Sequence, residues 1–348
     1  MAACERPVRV NLTHGGYARH YYYRLPRRAC TDPAAYLDEA LPLLLTVHCY
    51  GGDALQEMDK YIQDAEVAGF ALLAPVGMWK SWNTPSCCGQ ALARKLDDFG
   101  FIDAAVQHAA YLLPPLRRTL SNSLFATGFS NGGFVTSLLP SRSRLTWRGL
   151  APAAGHDYDS ALLAARPTPI LAHHCQEDHQ VRFEGCCDGL TRPCCCGIGM
   201  GRAQCVSHRS IHARWLSVNR CTGTRSQAGP GGSVCDVGVG CAANTSLCVY
   251  PPATGCTHLA WGYEFPGASS VVRFFASEVC AGGGLAPVNA LGSDPAAGGG
   301  AAGSSRAATC AFARQAALLW DGVGNTSLPV GGAAPRHRKP AARTAGKG

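Results

Sequence analysis

Leu124-Phe125-Ala126-Thr127-Gly128-Phe129-Ser130-Asn131-Gly132-Gly133 is the stretch from which the rest of the chain can be read. Leu124 to Thr127 is short and apolar, as a buried strand is, and an apolar helical run starts near Gly133. Between them stands Gly128-Phe129-Ser130-Asn131-Gly132, so a strand, a sharp turn and a helix follow one another in the order that a nucleophile elbow needs. Glycines two before and two after the serine have no Cβ to collide with neighbouring elements, so a tight turn can hold the hydroxyl above the sheet. The bare pattern recurs by chance, and its place after a buried strand carries the weight.

Outward from this turn the same alternation repeats. Leu43 to Val47 is apolar and empties into His48-Cys49-Tyr50-Gly51-Gly52; a helix is expected at about 55 to 68, and a second buried strand at Phe70 to Val76. The aromatic and cysteine loop from Gly77 to Gly89 is long enough to be functional. Asp97 or Asp98 can cap a helix in which Phe99, Ile102, Val106, Ala109 and Leu113 keep helical spacing up to Pro114. Further strands are expected at Leu150 to Ala154, Pro169 to Ala172 and Leu247 to Tyr250, and a closing helix at Ser270 to Val279. Such alternation implies a mostly parallel central sheet with helices on both faces, and with the elbow in place the expected fold is that of an α/β-hydrolase. The expected domain covers 1–280, and 281–348 reads as a Gly/Ala-rich, basic, largely disordered tail in which Thr309 to Trp320 alone has helix-forming composition and could dock on the domain.

A serine hydroxyl is a poor nucleophile until a base takes its proton, and in this fold class the acid and then the histidine follow the serine along the chain. Asp178 lies just past the strand that runs into His173-His174-Cys175-Gln176-Glu177, and His258 follows the last strand in Gly255-Cys256-Thr257-His258. Ser130, Asp178 and His258 are therefore the expected nucleophile, acid and base. Glu177 and Asp188 are alternative acids; His208 and His212, in a helix-like stretch with Trp215, are alternative bases that read better as packing residues. Charge on the carbonyl oxygen needs backbone donors. The Asn131 amide is one candidate and the Tyr50 amide the other, with Cys49 as its alternative. This chemistry calls for no cofactor and no metal.

The formal charge is +8, but residues 281–348 hold seven Lys/Arg against two Asp/Glu and so supply +5 of it, among Ala, Gly and Pro rather than aromatics. That distribution argues against nucleic-acid binding. Nineteen cysteines and the sequons at Asn11, Asn244 and Asn325 point to a secreted, disulfide-bonded glycoprotein, and the odd count leaves one thiol unpaired or paired between chains. Met1 to Val10 shows no signal-peptide core, and no apolar run approaches the ~18 residues of a membrane span. Cys186, Cys187, Cys194, Cys195, Cys196 and Cys205 crowd one insert whose irregular spacing favours disulfides over a zinc site.

With these segments placed, the chain resembles, from about residue 7 to 279, the secreted polyhydroxybutyrate depolymerases and feruloyl esterases of types B, C and D. The likeness rests on His48-Cys49-Tyr50-Gly51-Gly52, Ser81-Trp82-Asn83 with Cys87-Cys88-Gly89, Asp97-Asp98-Phe99-Gly100-Phe101, the elbow, Glu177-Asp178, Trp215 with Asn219 and Cys221, and the His258 loop with Trp261. It implies the same roles for Ser130, Asp178 and His258, and an ester substrate on a polysaccharide or a short polyester. Trp79, Trp82 and Trp261 could stack on an aromatic acyl group or a sugar. Cys49, Cys175 and Cys256 depart from glycine-bearing positions of the pattern. A Cβ at Cys49 is expected to distort the oxyanion loop, which keeps open a second reading: an inactive, disulfide-stapled carbohydrate-binding protein.

Overall fold

The computed structural model describes residues 2–32, 40–85, 87–113, 116, 123–155, 166–185, 207–281 and 309–313. The cysteine cluster at 186–205, most of the tail and the Asn325 sequon lie outside them. Among the described residues ten strands form one sheet: β1 Val8–His14, β2 Tyr17–Arg24, β3 Leu43–Val47, β4 Ala71–Pro75, β5 Leu124–Phe129, β6 Gly149–Ala153, β7 Ile170–Cys175, β8 Gly223–Ala228, β9 Val234–Val239 and β10 Thr245–Tyr250. Their order is β1-β2-β4-β3-β5-β6-β7-β10-β9-β8. The inner block from β4 to β10 is parallel, and antiparallel pairs close both edges.

Strands β3 to β7 are buried at every residue, which is why each reads as a largely apolar run rather than an alternating one, with Thr46, Thr127, His173 and His174 as buried polar exceptions. The two-residue period sends Leu43, Leu45 and Val47 into one core layer with Phe101, Ile102, Val106 and Trp215, and Leu44 into the other with Tyr61, Phe125, Val272 and Phe275. Helices cover both faces. This is the α/β-hydrolase fold.

Three elements differ from their sequence reading. The expected helix at 55 to 68 is two, Ala54–Asp59, capped by the Asp53 carboxylate, and Ile62–Ala68. The break turns the consecutive side chains of Lys60 and Tyr61 both inward: the Lys60 ammonium meets Glu57 and the Trp261 carbonyl, and the Tyr61 hydroxyl meets Thr127. The β1–β2 and β8–β9 hairpins were not expected, because β1 is only half-buried and β8 mostly exposed; cross-strand pairing, not an apolar run, makes them strands. Finally, residues 309–313 are helical and return to the domain. Cys310 is bonded to Cys280, the Thr309 hydroxyl donates to the Ala68 carbonyl at 2.7 Å, and Phe312 packs on the core.

The described cysteines pair as Cys4–Cys30, Cys87–Cys88, Cys175–Cys256, Cys221–Cys241, Cys235–Cys248 and Cys280–Cys310. Among the described residues no helix is long and apolar enough to cross a membrane.

The elbow packs without clearance. A Cβ on Gly132 would meet the Val47 carbonyl, backbone against backbone, so neither side can yield cheaply. Gly132→Ala is therefore expected to cost about 2–3 kcal/mol of stability, read as a lower urea midpoint; an unchanged midpoint would mean that the elbow and β3 can separate.

Candidate active site

Ser130, Asp178 and His258 all lie just beyond the C-terminal ends of parallel strands, which is where α/β sheets place ligand sites. Ser130 joins β5 to the helix Asn131–Arg142 and has φ 54° and ψ −116°. A side-chain-bearing residue at positive φ carries about 1–3 kcal/mol of strain. Its amide donates to the Ala153 carbonyl at 2.9 Å, and its carbonyl accepts from the Phe134 amide at 3.0 Å, so both neighbours hold the strained turn.

The three side chains meet in a line. The Ser130 hydroxyl is 2.9 Å from His258 Nε2, and His258 Nδ1 is 2.6 Å from Asp178 Oδ2. An ionised carboxylate only accepts, so Nδ1–H donates to Asp178 and Nε2 is left to accept from the serine. Asp178 Oδ1 accepts from the Gln180 and Val181 amides at 2.9 and 2.8 Å. Burial pushes the Asp178 carboxyl up, but the hydrogen bond and charge of His258, with His174 and the Val181 amide, outweigh it and hold the group below the usual carboxylate range. The acid thus stays ionised throughout the neutral range. His174, which sequence reasoning passed over, stands behind it: its Nε2–H donates to the Val181 carbonyl at 2.7 Å and lies 3.7 Å from Asp178 Oδ2.

The two alternative bases sit elsewhere, and Glu177, the neighbour of Asp178, is exposed. His208 and His212 are buried on the helix His208–Val218, with His212 Nε2 3.2 Å from Asp236. Asp188 lies outside the described residues.

Loops after β3 and β4 complete the site. His48 Nδ1–H donates to the Cys49 carbonyl at 2.8 Å, and its Nε2 accepts from the Gly77 amide at 2.9 Å. Burial lowers this imidazole to about 4, so it is neutral and can accept. The Trp82 indole donates to the His48 carbonyl at 2.8 Å. The Asn131 side chain bolts the same loop to the elbow, accepting from the Trp82 amide at 2.8 Å and donating to the Trp82 and Cys87 carbonyls at 3.2 and 3.1 Å. No spacing rule in the sequence reveals this role for Asn131. The backbone amides of Asn131 and Tyr50 make no intramolecular hydrogen bond among the described residues, which leaves both donors free.

Two expectations need correction. Trp82 is 0% exposed and offers no ring face to a ligand, whereas Trp261, 2% exposed, borders an open cavity; Trp79 is 45% exposed with the Arg94 guanidinium 4.9 Å from its ring. Cys49 does not have a positive φ, whereas Gly51 does, at +72°. The glycine requirement therefore falls on Gly51, and Cys49 carries no left-handed backbone strain. Cys49 is unpaired among the described residues, and burial pushes its thiol up from the usual value. Cys49→Gly is accordingly expected to leave kcat within about twofold of the unmodified enzyme; a several-fold rise would restore the distorted-loop view.

No family model matches the sequence, and no curated protein matches it. Among solved structures, an acylaminoacyl peptidase from Pyrococcus horikoshii is 10% identical with a TM-score of 0.44, covering 77% of this chain and 40% of that one. Est1E from Butyrivibrio proteoclasticus is 13% identical with a TM-score of 0.44, covering 78% and 98%. A thermostable esterase is 13% identical with a TM-score of 0.43, covering 78% and 61%. The chain thus spans about 40% of the peptidase's length. Likenesses at TM-scores below 0.5 carry no weight, and the fold rests on the chain's own sheet order.

Proposed function

We propose that the chain is a serine carboxylic-ester hydrolase that works through an acyl-enzyme. One observation carries the reading: an unbroken hydrogen-bonded line from the Ser130 hydroxyl through His258 to Asp178, built on the strained turn of the elbow. In this reading Ser130 Oγ attacks the ester carbonyl carbon while its proton passes to His258 Nε2. Negative charge gathers on the carbonyl oxygen, and the free Asn131 and Tyr50 amides receive it. Collapse expels the alcohol, which takes the proton from His258, and the acyl group stays on Ser130. Water then enters, gives a proton to His258 and attacks the acyl carbon; as the acyl–Oγ bond breaks His258 returns that proton to Ser130 Oγ, releasing the acid and the free serine. Asp178 keeps the imidazole in the tautomer that accepts from Ser130 and balances the charge when it is protonated.

The substrate class follows from the resemblance: feruloyl or acetyl esters on polysaccharides, or short hydroxyalkanoate polyesters. The exposure of Trp79, whose ring also carries the Arg94 guanidinium, and the place of Trp261 beside an open cavity support an aromatic or sugar contact, in place of the fully buried Trp82. Six disulfides among the described residues support an oxidising compartment and hence secretion. The inactive carbohydrate-binding alternative depended on a loop spoiled by Cys49, and no observation now favours it. The test is a fluorophosphonate label located by peptide mapping, together with turnover of methyl ferulate, p-nitrophenyl acetate and hydroxybutyrate oligomers. Labelling at Ser130 with turnover of at least one ester is expected; an unlabelled Ser130 and no turnover would overturn the reading.

A further inference from the structure

Two of the three cysteines that depart from the family pattern, Cys175 and Cys256, are bonded to each other across 81 residues of sequence. Cys175 ends β7, and its parallel register partner on β10 is Tyr250, so the acid loop and the histidine loop leave the sheet side by side. Asp178 comes three residues after one sulfur and His258 two residues after the other.

The two loops are not equally supported. On the acid side the Gln176 amide donates to the Tyr250 carbonyl at 2.9 Å, Asp178 accepts two amides, and His174 holds the Val181 carbonyl. On the base side, every hydrogen bond made by 251–257 among the described residues stays within the loop or the first turn of its own helix. Thr254 and Gly255 turn back on Pro251 and Pro252, Cys256 on Thr254, and Ala260 and Trp261 on Thr257. One side of the loop borders an open cavity of about 610 Å³ lined by Tyr250, Thr254, Cys256, Trp261 and Phe265, so no described residue packs against it there. Between the end of β10 and His258 the disulfide is the one cross-link that ties this loop to the rest of the domain among the described residues.

We infer that Cys175 and Cys256 are a positioning pair: their disulfide sets the approach of His258 to Asp178 and Ser130, and so acts on turnover rather than on substrate binding. The inference rests on the ester-hydrolase reading. A displacement of about 1 Å in a catalytic group can cost on the order of 100-fold in rate, and a seven-residue loop released at Cys256, two residues before His258, permits that displacement.

The test is the double variant C175A/C256A in the full-length protein, with C221A/C241A as control. The control removes a disulfide that precedes β10, at the opposite end of the strand from His258. Three quantities are read: kcat and KM on whichever ester the unmodified enzyme turns over, the rate of fluorophosphonate labelling, and the low-field proton resonance of the His258 Nδ1–H bound to Asp178. For C175A/C256A, kcat and the labelling rate fall about 10- to 100-fold, KM stays within about twofold, and the resonance is lost or broadened. The control keeps all three. Unchanged kcat with the resonance retained in C175A/C256A overturns the inference, as does an equal loss in the control. If the unmodified protein turns over no ester, the hydrolase reading fails while the resonance still decides whether the disulfide positions His258. Should C175A/C256A not fold, Cys256→Ser, which leaves the fully buried Cys175 in place, is read against the same outcomes.

Discussion

Ser130→Ala lowers ester kcat/KM on the order of 10,000-fold or more and leaves the fold intact. The nucleophile is lost, and what remains is the rate that the Asn131 and Tyr50 amides and simple substrate binding can support. Stability should barely move. Alanine at φ 54° bears the same backbone strain as serine, and the one side-chain partner of the deleted hydroxyl, His258 Nε2, keeps access to water in the cleft. Steady-state kinetics with circular dichroism on the same sample check both halves. Retention of more than a few per cent of activity would require another nucleophile; loss of the fold would mean that the hydroxyl holds the elbow together.

Acid should unfold the protein through histidines outside the catalytic line. Burial lowers His173 to about 3 and His48 to about 4, and lowers His174 as well. An unfolded histidine titrates near 6.5, so each of these groups contributes stability that is complete above that value and is lost as pH falls toward its folded value. At pH 4.5 His173 is still neutral in the folded chain and charged in the unfolded one, a loss of about 2.5 kcal/mol relative to pH 7, with a similar loss from His48. Together these are comparable with the whole stability of an ordinary domain. Raised carboxyls such as Asp103 and Glu278 act in the opposite sense over part of this range. A difference removes them. Between pH 7 and pH 4.5, His173→Gln is expected to lose about 2.5 kcal/mol less than the unmodified protein in urea titrations. Equal losses would show that His173 is already charged, or solvated, in the folded state.

The legible part of this chain was whatever local pattern dictates. Buried parallel strands are largely apolar, so β3, β4, β5, β6 and the first half of β7 stand out as short runs, and with them the α/β order and the places where the chain turns at the sheet's C-terminal edge. The elbow is local as well, because the glycines around Ser130 answer to steric contacts within a few residues or with the adjacent strand. The edge hairpins escaped because a half-exposed strand exists through its partner, and a partner leaves no mark on the strand's own residues. Tertiary structure alone decided the rest. Trp82 looks like a binding residue in sequence, but its indole is committed to the His48 carbonyl. Cys49 looks like a strained intruder, but the left-handed backbone belongs to Gly51. Cys175 and Cys256 look like two unrelated departures, 81 residues apart, and are one bond. The first depends on how the loops after β3 and β4 pack together, the second on a backbone angle, and the third on the sheet bringing β7 beside β10, none of which composition or spacing encodes.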